Sequence, residues 1–588
     1  MTKKAVAIDY SRKRLARLAD KFYNEGNYLS ALRFAYEELN GYGGDGDVFA
    51  RLSDIYEGMG LHASAINWWF RFLDVAEEED LPDIYEGLAV NYLNLGNENA
   101  SAYYYNKLID VDANLPEETK MDIVDAFSKS KRDLFRFTYP PRLADYSREM
   151  DAGSKALKHG DSKRAIVYLS RVEKGSKDYA SAQEMQAVAY LLEGDTQKAE
   201  KICVDLLEEY PDDVRTLSTL AAVYLEQERK DESREIALKL YQLEQTDSED
   251  LYKVATVCCE NGLHAEAYEK FCQLEKKLPY DGRMLYFKGV AAFLCGKLNE
   301  AERTLDTLCT VYPDAEVAKY YLRALRNREQ DIEEDKNETG ETNAQEPLPE
   351  PTYFYHLPQE EREERCRAMI QMSKCAADEA QLFGLLALHD GYFRWAFDEM
   401  DGADHDLQYL AIATAVHVRA DEFIRDVLLD SEVLDVLKVE TLRMLYERNE
   451  ETEIGLVLCH IYRNLCLSRI AIGRKKRKRF IEAHAKIASR FVVISDVYGK
   501  KMKATTESLY KSLSESGALD MVDNTDDLAC AIFLLSGLKE LGNNPQAIAQ
   551  ALDANYERVQ ALTDVALGRN QSPSISENTQ EKRVEEEQ

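Results

Sequence analysis

Only 13 prolines and 3 tryptophans occur among the 588 residues, and cysteine is hardly commoner, with 11. The cysteines are odd in number and scattered, most at helical core spacing (Cys203, Cys258, Cys272, Cys295, Cys309). No disulfide framework fits such a set, which suits a reducing cytosol, and a cytoplasmic location is expected. No stretch approaches the roughly 18 apolar residues of a membrane span, and Met1-Thr2-Lys3-Lys4 opens onto a charged amphipathic helix rather than the apolar run of a signal peptide. Positive charge is in deficit: 74 lysines and arginines face 107 acids, a formal net charge of −33. That balance argues against nucleic-acid binding by the chain as a whole. Strand-like alternation is missing throughout. So are a glycine-rich phosphate loop, a Cys-x-x-Cys pair and a His-Glu-x-x-His helix. Cys459, His460 and Cys466 read as residues of one helix, at offsets that do not aim three ligands at one metal. Neither catalytic residues, cofactor nor metal is expected.

What the chain does have is a period. A small residue recurs every 34 positions at Ala165, Ala199, Ser233, Ala267 and Ala301, and the same interval separates Ala31 from Ala65. Five residues earlier stands a turn glycine (Gly26, Gly60, Gly96, Gly160, Gly194, Gly262, Gly296), and twelve earlier a second small side chain, such as Ala19, Ser53, Ala89, Gly153, Ala187, Ala221, Ala255 or Gly289. Paired helices can approach closely at such positions, and Tyr56, Tyr92, Trp69, Tyr105, Tyr190, Tyr224 and Phe271 fill the space between neighbours. Pro211, Pro279 and Pro313 each close a unit. These marks together resemble the tetratricopeptide (TPR) family, with about eight units between Arg12 and Asp314. Two places depart from the pattern. Ser101 to Ala165 spans 64 residues with one weak repeat-like segment, Pro116 to Tyr139, which predicts an additional helix; and the unit around Ser233 has Glu228 where the glycine belongs.

The resemblance implies an α-solenoid whose concave groove is lined by the first helix of each unit and receives a protein segment. Some chaperone-binding members hold a peptide carboxylate there with lysine, arginine and asparagine, but Ala16 and Asp20 stand at the matching positions. The early groove is instead acidic, with Asp20, Asp47, Asp54, Glu57, Asp83 and Glu86, and the later groove is aromatic, with Tyr252 and Tyr286. A basic or amphipathic segment of another protein fits such a surface; the other reading is that the acids solvate the groove while the aromatics pack between units.

Composition divides the chain further. Residues 1–139 are expected to hold the N-terminal units and the extra helix, and residues 140–328 the later units and a cap helix from Glu316 to Arg328. Residues 329–351, with nine acids and one lysine, form a disordered linker, and residues 568–588 a disordered tail. Between them, residues 352–567 form a second all-helical body. Its short apolar segments (Glu379–Leu388, Tyr392–Met400, Leu407–Val418, Phe423–Leu429) resemble HEAT pairs, and longer helices run from Glu453 to about Leu513. The fold class expected is all-α.

Within that body Arg474, Lys475, Lys476, Arg477, Lys478 and Arg479 form a basic run, and residues 469–511 hold thirteen basic residues against three acids. On a helix six consecutive charges face every direction, so the run is exposed. Three readings stand: a solvated face, a contact with an anionic partner or nucleic acid, or a self-contact with the chain's own acidic segments. Gln546 to Leu562 resembles the helix-turn-helix family, with Ala549, Leu552, Ala554 and Val559 at packing positions. It departs where Asp553 takes the turn glycine's place and Glu557 and Asp564 outnumber Arg558. The reading as a whole is a non-catalytic adaptor with a protein-binding groove and a basic surface for an acidic partner. The alternative is a nucleic-acid-associated regulator using residues 469–511.

Overall fold

The computed structural model describes residues 11–112, 115–128, 146–245, 247–338, 348–389, 391–398, 405–538, 542 and 544–569. Eight antiparallel helix pairs follow the period: α1 (Arg12–Asn24) with α2 (Tyr28–Tyr42), α3 (Gly46–Gly58) with α4 (His62–Leu73), and α5 (Leu81–Asn94) with α6 (Glu98–Val111). After α7 (Glu117–Ser128), the expected additional helix, come α8 (Ser147–Lys158) with α9 (Ser162–Leu169), α10 (Tyr179–Leu192) with α11 (Thr196–Glu209), and α12 (Val214–Glu226) with α13 (Lys230–Gln242). The last two pairs are α14 (Ser248–Glu260) with α15 (His264–Glu275) and α16 (Gly282–Leu294) with α17 (Leu298–Val311). Each pair packs internally; the first three stack one on the next, and so do the last five, the nearest-neighbour arrangement of a solenoid. Residues 129–145, which include the rest of the weak repeat-like segment, lie outside the described residues.

Local chemistry explains the pairs. The recurring alanines and serines are fully buried, and the Ser233 hydroxyl donates to the Ala221 carbonyl of the facing helix at 2.9 Å. In four units the turn glycine precedes an N-cap (Asn27, Asn97, Asp161, Asp195) whose side chain accepts a backbone N–H of the second helix. Glu228 adopts the same left-handed conformation as the glycines, with φ 61°.

The cap helix, α18 (Glu316–Glu338), runs longer than expected, through the first part of the acidic linker. Residues 339–347 of that linker, residues 1–10 and residues 570–588 of the tail lie outside the described residues. The second body holds α19 (Gln359–Lys374), α20 (Glu379–Leu388), α21 (Tyr392–Asp398), α22 (His405–Val418), α23 (Asp421–Leu429) and α24 (Asp435–Glu447). A hairpin of β1 (Thr452–Leu458) and β2 (Ile461–Leu467) follows, then α25 (Arg477–Val492), α26 (Asp496–Glu515), α27 (Thr525–Ser536), α28 (Pro545–Ala551) and α29 (Tyr556–Ala566). Around α25, packed on α24, α26 and α27, lies a core that includes Phe480, Phe491 and Phe533.

Among the described residues the fold is all-α apart from that hairpin, which corrects the expectation of helix from Glu453. Ile454, Leu458, Ile461 and Leu465 satisfy a helical period, but they belong to paired strands with Leu458 opposite Ile461. Cys459 and His460 form the two-residue turn at φ 49° and 64°, so they and Cys466 do not share a helix. Asn-Gly, the usual signal for such a turn, is absent here.

Candidate protein-binding groove

The first helices of the first three pairs and those of the last two differ in chemistry and in occupancy. In the first three pairs, α1 carries Asp20, α3 carries Asp47, Asp54 and Glu57, and α5 carries Asp83 and Glu86. Four of them gather. Desolvation by the neighbouring units, and then the charges of Glu57, Asp20 and Asp83, push the Asp54 carboxyl up to about 6, against the pull of Arg51. Asp20 accepts an ion pair from Arg51 at 2.7 Å, and Glu57 accepts the Asn91 amide at 2.8 Å. Asp47 and Glu86 are exposed and stand apart from the cluster, Asp47 in the first turn of α3 and Glu86 beside Tyr105.

The aromatic groove of the last two pairs is filled by the chain itself. Residues 352–357 follow a bent path against α14 and α16, with positions 353, 355 and 357 more buried than 352, 354 and 356. Tyr353 stacks on His264 at 5.8 Å, donates or accepts a hydrogen bond with its Nδ1 at 3.0 Å, and meets Phe287 edge-on. The Tyr355 ring meets Tyr286 edge-on at 4.7 Å, and its hydroxyl donates to the Asp398 carboxyl at 3.0 and 3.1 Å. Asp398, at the end of α21, also accepts the Val317 N–H at the start of α18, at 2.8 Å. Burial pushes this carboxyl up to about 7. Leu357 is buried next, while Phe354 points outward, 66% exposed. Tyr286, fully buried, and Tyr252, packed on Phe271 and Phe287, therefore belong to a self-occupied site. The Tyr-x-Tyr-x-Leu alternation at positions 353–357 was the available signal for this strap.

The early pairs also dock on the rest of the molecule. Tyr56 donates to the Val311 carbonyl at the end of α17 at 2.8 Å, and Arg33 pairs with Asp306 at 2.7 Å. Arg71 reaches Asp426 of α23 at 2.9 Å, Tyr104 donates to the His460 carbonyl at 2.8 Å, and Tyr462 donates to Asp74 at 2.8 Å. A cavity of about 920 Å³ lies in this seam, walled by Trp68, Arg71, Asp314, Arg394, Arg425 and Asp426 among others. Its cations are each tied to an acid: Arg394 to Asp314 and Asp426, Arg425 to Asp74.

The basic run is only half helical, because Arg474, Lys475 and Lys476 form the turn that precedes α25, with Lys476 at φ 57°. Much of its charge is answered locally. Lys475 pairs with Asp520 at 3.1 Å, Lys476 with Asp523 at 3.3 Å and Lys486 with Asp526 at 2.7 Å; Lys478 reaches Glu482 at 3.7 Å, and Arg479 donates to the Val522 carbonyl. The acids that meet Lys475 and Lys476 thus come from the connection between α26 and α27, and the one that meets Lys478 from α25 itself. Arg469, Arg474, Arg477, Arg490, Lys500, Lys501 and Lys503 have no ion pair among the described residues. At the C-terminal end, Ala549, Leu552 and Val559 bury the contact between α28 and α29, and Asp553 takes the turn at φ 56°. Arg558 lies 3.8 Å from the buried Asp527, so the one cation of the helix-turn-helix-like element points into its own fold.

The model of the tetratricopeptide repeat family matches residues 190–255, and no curated protein matches the sequence. Among solved structures, a tetratricopeptide repeat protein from Parabacteroides merdae is 15% identical, with 49% of this chain and 98% of that one covered at a TM-score of 0.23. The TPR domain of P58(IPK) is 16% identical over 56% of this chain and 93% of its own, at a TM-score of 0.22. The TPR2AB domain of yeast Sti1, in its complex with pHSP90, is 15% identical over 46% and 98%, at 0.18. Likeness at this level speaks to none of this chain's partners. No helix among the described residues is long and apolar enough to cross a membrane.

Proposed function

Since the chain is a tetratricopeptide repeat protein, we propose that it works as a non-catalytic adaptor whose first three helix pairs hold a basic or amphipathic segment of another protein. The observation that carries this reading is the contrast between the two grooves. The aromatic one already holds residues 352–357, whereas in the early one Asp54 is pushed up to about 6, first by desolvation and then by the charges of Glu57, Asp20 and Asp83. Like charges held this close are relieved by a cation, and a lysine- or arginine-rich segment supplies several. The second half of the adaptor is the basic surface of α25 and α26, offered to an acidic partner by the cations that lack an ion pair. In this reading residues 1–139 receive the client, residues 140–328 carry the scaffold, and residues 352–567 localise it. A cytoplasmic site belongs to the proposal, supported by eleven free cysteines.

The test is anisotropy of a labelled lysine-rich amphipathic peptide against the full chain, with Asp54→Asn and Glu57→Gln as variants. The expected result is salt-sensitive binding that both variants weaken; binding indifferent to both would sink the reading. Labelled DNA and RNA form the second arm. Those same cations favour the alternative regulator if either nucleic acid binds with a steep salt dependence that Arg474→Glu and Lys501→Glu abolish.

A further inference from the structure

Residues 352–357 are held in their groove by side chains. No backbone–backbone hydrogen bond among the described residues ties them to α14 or α16. The Tyr286 and Tyr321 hydroxyls reach the Phe354 and His356 carbonyls at 3.5 and 3.4 Å, long for such bonds. What seats the segment is the ring of Tyr353 on His264 and Phe287, the ring of Tyr355 on Tyr286, and the buried Leu357. Pro351 and Pro358 bracket it, and Pro358 is the N-cap of α19, so that helix keeps its first turn when the segment leaves.

The polar anchor, Tyr355 on Asp398, is also the weak point. Asp398 has no ion pair among the described residues. The titratable groups that face it are Tyr286 of α16, Cys309 of α17, and Asp314 and Glu316 at the entry to α18. Arg394, on its own helix, goes to Asp314 and Asp426, while Lys319 and Arg365 go to Glu316. Helix α22, packed on α21, carries His405, Asp406 and His417 exposed, and residues 399–404 contain no lysine or arginine. An ionised Asp398 under the seated segment is thus a buried carboxylate without a cation, and opening hydrates it. We propose that residues 352–357 are a resident competitor: the α14–α16 groove receives a segment of another protein with the same side-chain order (an aromatic residue, a tyrosine two positions on, a leucine two further), and the Tyr355–Asp398 contact is the latch between the two occupants. Burial raises this carboxyl to about 7, and opening returns it toward 3.8. Opening is therefore least favoured below about pH 4, gains as pH rises to 7, and gains no more above it.

The probe is a labelled peptide with the sequence of residues 350–359, added to the full chain and followed by anisotropy. The natural chain should bind it weakly, and Tyr353→Ala with Tyr355→Ala, which empties both seats, at least about tenfold more tightly. Should that variant lose its helical circular dichroism, Tyr355→Phe serves instead: it keeps the ring, loses the latch, and should tighten binding about tenfold or more at pH 8. His264→Ala, at a half-buried position, should weaken the peptide in either background by removing its first seat. The seated peptide buries Asp398 again, so pH acts on exchange and not on affinity. From pH 5 to pH 8.5 association with the natural chain should quicken about a hundredfold, and Asp398→Asn should flatten that rise. The proposal is overturned if folded variants bind no peptide through about 1 mM, if they bind no tighter than the natural chain, or if His264→Ala changes nothing. Dimers of the natural chain at pH 8.5 in sedimentation would also overturn it, giving the groove to a second copy. The lysine-rich peptide tests the separate groove of the first three pairs, so either idea can fail alone.

Discussion

Tyr355→Phe deletes one hydroxyl from the contact that seals residues 352–357 into the groove. That hydroxyl donates to both oxygens of Asp398, whose other donor among the described residues is the Val317 N–H. Burial has raised the Asp398 carboxyl to about 7 from an ordinary value of 3.8. Between those values the folded chain keeps a proton that the unfolded chain has lost. The stability from this group is thus fully present below about pH 4 and disappears as pH rises through 7. Three units correspond to about 4 kcal/mol. Above pH 8 the carboxylate is ionised and leans on its donors, so losing the tyrosine hydroxyl should cost about 2–3 kcal/mol of local stability. At pH 5 the group is a neutral acid, and the same loss should cost about 1 kcal/mol. Hydrogen exchange of Val317 and residues 353–357 reads these opening energies directly, without assuming that so long a chain unfolds in one step. Tyr355→Ala, which also removes the ring from Tyr286, should cost about 3–5 kcal/mol at either pH. Equal losses for Tyr355→Phe at pH 5 and pH 8 would refute the role given to Asp398.

Four further outcomes follow from particular residues. Glu228→Gly should raise the stability of the α12–α13 pair by about 1 kcal/mol, because glycine takes φ 61° without a Cβ clash; slower exchange in those helices would show it. Gly87→Ala should destabilise the first three pairs by about 1–3 kcal/mol and shift tryptophan emission, since a Cβ at position 87 overlaps the Trp69 indole. Asp426→Asn removes the carboxylate that Arg71 and Arg394 share, at a cost of about 3 kcal/mol. The early pairs should then loosen from the second body, visible as a larger radius of gyration in X-ray scattering. Binding of the lysine-rich peptide should strengthen from pH 5 to pH 7 as Asp54, raised to about 6, ionises, and Asp54→Asn should flatten that profile.

The sequence by itself determined the helix pairs. Ala31 and Ala65, the turn glycines and the small residues opposite act within one unit, through sterics that recur each time the unit does, so a period exposes them. It also determined which first-helix residues are acidic and which aromatic. Tertiary structure alone decided which of these remain open. Tyr353 and Tyr355 settle on His264 and Tyr286, and Tyr104 finds His460, across separations of 69 to 356 residues that leave no repeating trace. The same holds for Lys475 and Lys476, whose acids come from Asp520 and Asp523 rather than from the linker. At Leu458 and Ile461 apolar spacing admitted helix and hairpin alike, and in the folded chain Val457 of the hairpin is buried against the early helix pairs. Local sterics repeat and can be read; burial between distant segments happens once, and only the folded chain records it.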